Sequence, residues 1–177
     1  MYKYHDQLET DRLTTRFLTP EDILPWSAFF AEKEATKFFP DLQGDTGVEK
    51  SKHWIERQFN RYRENTYGLQ ALIRKETREF VGQCGLLIQE VDGLKETEVS
   101  YHILKKYWGN GYAPEAARLF INYAFSEKLT DSVISIIDTG NRKSQRVAEK
   151  NGLTVDKVTR HKELEVFIYR ISREQFF

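Results

Sequence analysis

The sequence predicts one α/β domain over residues 1–177, with seven strands in a single mixed, mostly antiparallel sheet and four flanking helices. Three observations support that class. Strand-like and helix-like segments follow the order β-α-α-β-β-β-α-β-α-β-β, which is neither a helical bundle nor a doubly wound repeat. Three of the strands succeed one another across short turns, the pattern of an antiparallel meander. A strand–helix–strand unit around 99–137 then requires one parallel crossover, right-handed by rule.

In chain order, residues 8–18 carry Leu8, Leu13, Phe17 and Leu18 among polar neighbours and read as the first strand. Thr19-Pro20-Glu21-Asp22 supplies an N-cap, a proline at the first helical position and two early acids. That helix is expected to reach about Lys33 and to present Leu24, Phe29 and Phe30. Residues 38–45 read as a loop with adjacent aromatics, Phe38 and Phe39. Thr46-Gly47-Val48-Glu49 matches a capping box, and Val48, Ile55, Phe59 and Tyr62 stripe the second helix to about Glu64.

Strands are expected next over 67–74, 80–91 and 96–104. The second is nearly unbroken apolar after Gln83, which suggests burial on both faces. Asp92-Gly93 signals its hairpin, with Leu94-Lys95 lengthening the loop. In the third, Val99, Tyr101 and Ile103 alternate with Glu98, Ser100 and His102. Ala116, Ala117, Leu119, Phe120, Tyr123 and Ala124 stripe a third helix over 116–128. Residues 132–137 have the composition of a central strand. Asn141 then N-caps a short fourth helix that Gly152 stops, and strands over 153–160 and 165–171 meet in a hairpin near 161–163.

Lys and Arg number 27, as do Asp and Glu, so no global charge draws the chain to nucleic acid or to an anionic membrane. No apolar run approaches the roughly 20 residues of a membrane span. The first residues lack the apolar core of a secretory signal. A single cysteine, Cys84, excludes an internal disulfide and fits a reducing compartment, so a cytoplasmic protein is expected. Its apolar setting reads as structural.

Lys105-Lys106-Tyr107-Trp108-Gly109-Asn110-Gly111-Tyr112-Ala113-Pro114-Glu115-Ala116 stands between the fourth strand and the third helix. Glycines one apart permit a tight turn that exposes successive N–H groups. Pro114 at the first helical position and Glu115 beside it mark a helix N-terminus, a setting that holds phosphate. An ordinary strand–loop–helix joint would show the same glycine pair. A dinucleotide site is disfavoured because Pro114 stands at the third glycine of Gly-x-Gly-x-x-Gly. A nucleotide P-loop is disfavoured because no Gly-Lys-Ser/Thr follows.

Three segments together resemble the GNAT superfamily of acetyl-CoA-dependent N-acetyltransferases. Lys106-Tyr107-Trp108-Gly109-Asn110-Gly111 is similar to its Arg/Gln-x-x-Gly-x-Gly/Ala pyrophosphate loop, with Lys106 in place of Arg or Gln. The wider Tyr107-Trp108-Gly109-x-Gly111-Tyr112-Ala113-x-Glu115-Ala116 resembles the branch of ribosomal-protein serine/alanine N-terminal acetyltransferases. Asn141-x-x-Ser144-x-x-Val147-x-Glu149-Lys150-x-Gly152-Leu153 resembles that branch's second signature, and Thr10-Asp11-Arg12-Leu13-x-x-Arg16 its first strand.

The resemblance implies a sheet splayed between strands four and five, with acetyl-CoA as co-substrate in the wedge and no metal. The pantetheine arm would pair with the backbone at Ile103 and Leu104. The pyrophosphate would sit on the N–H groups of Trp108, Gly109, Asn110, Gly111, Tyr112 and Ala113, beside Lys106. Asn141 and Ser144 would face the arm from the other side. The acceptor, a protein N-terminal amine or a small primary amine, would enter near Trp26, Phe38, Phe39, His161 and Glu163. A homodimer is common in this branch.

Acetyl transfer to an amine needs a neutral nucleophile, a polarised carbonyl and a leaving thiolate. Deprotonating an α-amine at pH 7 costs about 1 kcal/mol, and a lysine about 4 to 5. Glu98 is the candidate base, acting through water, and His102 on the same face is a second candidate. A backbone N–H near Leu104 would polarise the carbonyl. Many members carry a tyrosine as acid seven residues after the Asn141 position, where this chain has Ala148. Ser144 or a water would then deliver the proton, and a thiol near pKa 8.5 needs only about 2 kcal/mol of help. Ala148 also leaves open a catalytically silent acetyl-CoA-binding module.

Overall fold

The computed structural model describes residues 4–39 and 42–177, so Pro40 and Asp41 of the expected loop, and Met1 to Lys3, lie outside it. Seven strands form one sheet in the order β1-β2-β3-β4-β5-β7-β6. They are β1 (Leu13–Phe17), β2 (Leu69–Arg74), β3 (Phe80–Val91), β4 (Leu94–Ile103), β5 (Ser132–Asp138), β6 (Thr154–His161) and β7 (Leu164–Ser172). Every neighbouring pair is antiparallel except β4 with β5, as the strand–helix–strand pattern requires. The long helices are α1 (Ile23–Ala31), α3 (Gly47–Arg63), α4 (Tyr112–Ser126) and α5 (Arg142–Lys150), with short turns at α2 (Lys33–Thr36) and α6 (Arg173–Phe176).

The expected first helix is three pieces. Pro20–Asp22 forms a 3-10 turn, α1 follows, and Glu32 breaks the helix with an extended backbone before α2. Leu24, expected inward, is 71% exposed, while Trp26 is fully buried, stacked on Phe29 at 4.4 Å. The capping box at Thr46 and Glu49 is present. Asp92 and Gly93, with φ of 51° and 79°, make a two-residue turn, so β4 begins at Leu94 without the lengthened loop.

The third helix starts four residues earlier than expected. Gly111, left-handed at φ 80°, is its N-cap, and Pro114 is its third residue. A proline there costs nothing, because first-turn N–H groups have no partner inside the helix. Ala116, Ala117, Phe120, Ile121 and Ala124 form the buried stripe of α4, which packs on β3 and β4. Its small residues let the helix lie close to the strand that carries the candidate base. Burying a side chain the size of Phe120 is worth about 2 to 3 kcal/mol.

Candidate active site

Between β4 and β5 the ladder registers at one pair, Glu98 with Ile134. Beyond it the strands part. The opening forms a cleft of about 260 Å³ whose walls include Glu98, Tyr101, His102, Ser135, Asn141 and Ser144. Of the residues singled out from sequence, Glu98, Asn141 and Ser144 therefore share one cavity. Ile103, Leu104 and the glycine loop lie at the end of β4, outside that lining.

Hydrogen-bond parity decides which backbone groups face the wedge. Leu104 N–H donates to Val81 O at 3.0 Å, on the β3 side. It is therefore not free to polarise a carbonyl or pair with a ligand, which corrects the expectation for Leu104. Alternation turns the N–H groups of Ile103 and Tyr101 toward the wedge instead. The carbonyl of Ile103 already accepts the indole N–H of Trp108 at 2.7 Å.

The loop itself is braced from three directions. Gly109 and Gly111 have φ near 80°, a conformation other residues adopt only with strain. Asn110 Nδ2 donates to Tyr107 O at 3.0 Å, and Arg12 Nη1 donates to Asn110 O at 2.9 Å. Arg12 and Thr10 also clamp Glu115 in the first turn of α4, with Arg12 Nε donating at 2.7 Å. The first-strand signature thus holds the loop. Asn151 Nδ2 bonds Pro114 O at 3.2 Å and ties α5 to the same turn.

Among the described residues, the N–H groups from Gly109 to Ala113 find no acceptor, and nothing lies within 4 Å of where a Cβ on Gly109 would stand. Free donors, open space and a helix N-terminus fit a diphosphate. Trp108 drops out as a donor, since its N–H closes the preceding turn onto Lys105 O at 3.0 Å. Lys106 is exposed, lying over the Tyr107 ring and 3.9 Å from Glu79. Lys143 of α5 covers the Trp108 ring at 4.4 Å, so α5 and the loop stand side by side.

Glu98 is 6% exposed, and burial raises its carboxyl to about 7. Gln89 Nε2, donating at 2.7 Å, the Ile136 N–H and the charges of Lys162 and Arg61 hold that rise back. His102 sits among the rings of Phe29, Phe39 and Trp54, and its desolvation lowers the imidazole to about 3. That lowering makes His102 the poorer proton acceptor of the two candidates.

Asn141 Oδ1 accepts the Ser144 N–H at 3.2 Å and so caps α5. Ala148 is buried, so the usual tyrosine position points into the core. A different phenol reaches the wedge. Tyr101 Oη donates to Ser144 O at 3.0 Å and neighbours the Ser135 side chain, and burial pushes its pKa up. Sequence reasoning assigned Tyr101 to the apolar face with Val99 and Ile103. The signal that could have prompted a search for it was Ala148, at the position where a tyrosine was expected from the resemblance.

On the acceptor side, Phe38, Phe39, Trp54 and His161 line the cleft. Trp26 lies in the core instead, and the Glu163 side chain is 95% exposed beside Arg160. Lys105 pairs with Glu32 at 2.9 Å, and Lys143 pairs with Glu34. Cys84 is fully buried, with its thiol pushed up by desolvation. No three metal-ligating side chains gather among the described residues, and no described helix is long and apolar enough to cross a membrane.

A family model described as an acetyltransferase (GNAT) domain matches residues 12–154. The uncharacterized protein YkkB of Bacillus subtilis (strain 168) is 31% identical over 166 residues, covering 92% of this chain and 94% of that protein. The crystal structure of an acetyltransferase from Agrobacterium tumefaciens str. C58 is similar at TM-score 0.78 and 26% identity, covering 97% of this chain and 96% of that one. Mycobacterium smegmatis RimJ, solved in complex with CoA-disulfide, shares the fold at TM-score 0.76 and 15% identity, over 92% of this chain and 83% of that one. The matched residues run from the Arg12 clamp through the splayed strands to the start of β6, and the chain belongs to the GNAT family of acetyltransferases.

Proposed function

We propose that the protein moves the acetyl group of acetyl-CoA to a primary amine by direct transfer within a ternary complex. The observation that carries this reading is Glu98, a buried carboxyl held near pKa 7 at the point where the sheet splays. A carboxyl poised there takes a proton at neutral pH and is costly to keep for structure alone. A silent acetyl-CoA-binding module has no need of it.

Acetyl-CoA supplies the acetyl group as a thioester. The N–H groups of Gly109 to Ala113 would hold its diphosphate, and those of Tyr101 and Ile103 would face its arm and carbonyl. Glu98, through a water, would remove the proton from the acceptor ammonium. Tyr101, kept protonated by burial, would turn its hydroxyl from the Ser144 carbonyl to the departing thiolate, the role that Ser144 was expected to fill.

The test is acceptor-dependent release of free thiol from acetyl-CoA across N-terminal peptides, amino acids, aminoglycosides and polyamines. Release with at least one acceptor, lost in Glu98→Gln, upholds the reading, and none across the whole panel sinks it. Gly109→Ala should raise the KM for acetyl-CoA about tenfold, because a methyl group enters the open space over free donors and costs about 1 to 2 kcal/mol of backbone strain. Titration calorimetry with CoA checks it. Tyr101→Phe should lower kcat about tenfold or more, as expected for one lost hydrogen bond to a charged group, and leave that KM unchanged.

A further inference from the structure

We infer that the acceptor amine carries an anionic group, a carboxylate or a phosphate, which Arg57 and Arg61 receive. This rests on the acetyltransferase reading of the cleft and names the chemical class of its second substrate. Arg57 and Arg61 stand four residues apart on α3, hence on one helical face, and both line the cleft. Among the described residues neither forms an ion pair. Arg61 Nη1 donates to the neutral amide oxygen of Gln58 at 3.1 Å, and Arg57 lies 5.3 Å from the centre of the Trp54 ring. Lys162, at the turn between β6 and β7, lines the same cleft and is likewise unpaired.

The carboxylates that face this cavity are engaged elsewhere. Glu98 holds Gln89 and the Ile136 N–H, and Asp138 Oδ1 accepts the Gly140 N–H at 2.8 Å. Arg61 and Glu98 sense each other's charge without touching as an ion pair. Lys105 and Lys143, outside the cleft lining, both meet glutamates. With 27 basic and 27 acidic residues in the chain, composition does not force three cations to lack partners in one place.

Desolvating a guanidinium with no counterion is unfavourable, and burial lowers the half-buried Arg61 from its ordinary value, while Arg57 stands more exposed beside it. A forked donor pair that waits for an anion fits a carboxylate or phosphate two-pronged. The same positive field repels a polyamine. Phe38, Phe39, Leu42 and Trp54 add an apolar wall for the rest of the molecule.

Initial rates on paired acceptors test this: phenylalanine and methionine against their carboxamides, O-phosphoethanolamine against ethanolamine, and spermidine as the cationic arm. The carboxamides lose their ammonium proton more readily, so the comparison starts tilted against the acids. The expected result is a kcat/KM preference of at least about tenfold for one anionic form, removed by Arg61→Gln through the acceptor KM and partly kept by Arg61→Lys. Equal rates for acid and amide, faster spermidine, or an Arg61→Gln effect on the acetyl-CoA KM instead would overturn it. Calorimetry of N-acetylphenylalanine and N-acetylphenylalaninamide with the protein and CoA reads the same preference without turnover. Absence of turnover on every amine defeats the acetyltransferase reading, whereas Arg61-dependent binding of the acid upholds the anion site and indifference between the two compounds removes it.

Discussion

Glu98→Gln should lower kcat by at least about a hundredfold and, at pH 8, raise the melting temperature by several degrees. The two effects share one cause. The Glu98 carboxyl is raised from 4.5 to about 7, so the folded protein holds a proton that the unfolded chain releases. Below about pH 4.5 the side chain is neutral in both states and the difference vanishes. As pH rises toward and past 7 the fold increasingly bears the cost of a buried carboxylate, up to about 3 kcal/mol. Glutamine keeps the shape and one acceptor oxygen without that charge, and the lost second acceptor offsets only part of the gain. The comparison with wild type across pH isolates Glu98 from His102, whose lowered pKa works the opposite way, withdrawing stability as the solution turns acid. In wild type, kcat/KM should fall below about pH 7 as the base becomes protonated. A variant as active as wild type, or no more stable at pH 8, would remove Glu98 from the mechanism.

Gly85→Ala should destabilise the fold by about 3 to 5 kcal/mol, the sum of overpacking and lost buried hydrogen bonds. A Cβ there would stand 2.5 Å from Gly68 O, 2.9 Å from Leu69 Cα and 2.7 Å from Tyr4 Oη. Two of those atoms are backbone, and the third is held: Tyr4 Oη donates to Gly68 O at 2.5 Å and accepts the Leu86 N–H at 3.2 Å. The extra methyl must part β2 from β3 or expel Tyr4. Denaturant melts read the loss as a lower midpoint with an unchanged slope, and a midpoint equal to wild type would contradict it.

Periodicity found the elements, and their ends followed rules of finer grain. Phe80–Val91 has the bounds expected of it because its run is nearly unbroken apolar after Gln83 and the Asp92-Gly93 turn ends it. The start of α4 was misjudged because Pro114 is a familiar first helical residue, whereas Gly111 caps from a left-handed conformation that no side chain announces. Nothing in the sequence marks the break at Glu32, which has neither glycine nor proline beside it. The glycine loop was legible, since adjacent residues make it. The rest depends on long-range placement. Tyr101 meets α5 across forty-three positions, and Arg57 and Arg61 face the cleft only because of how α3 lies across the sheet. Hydrogen-bond parity on β4, which separates Ile103 from Leu104, needs the pairing with β3 to be known.

Cys84, the only cysteine of the chain, lies sealed at 0% exposure in β3. The natural protein is consequently blank to maleimide dyes and spin labels while folded. Leu24→Cys on α1 and Val158→Cys on β6, at side chains 71% and 53% exposed, would take such labels alone. The distance between them would then follow the two flanks of the sheet as they spread or close, with no native sulfur to remove first.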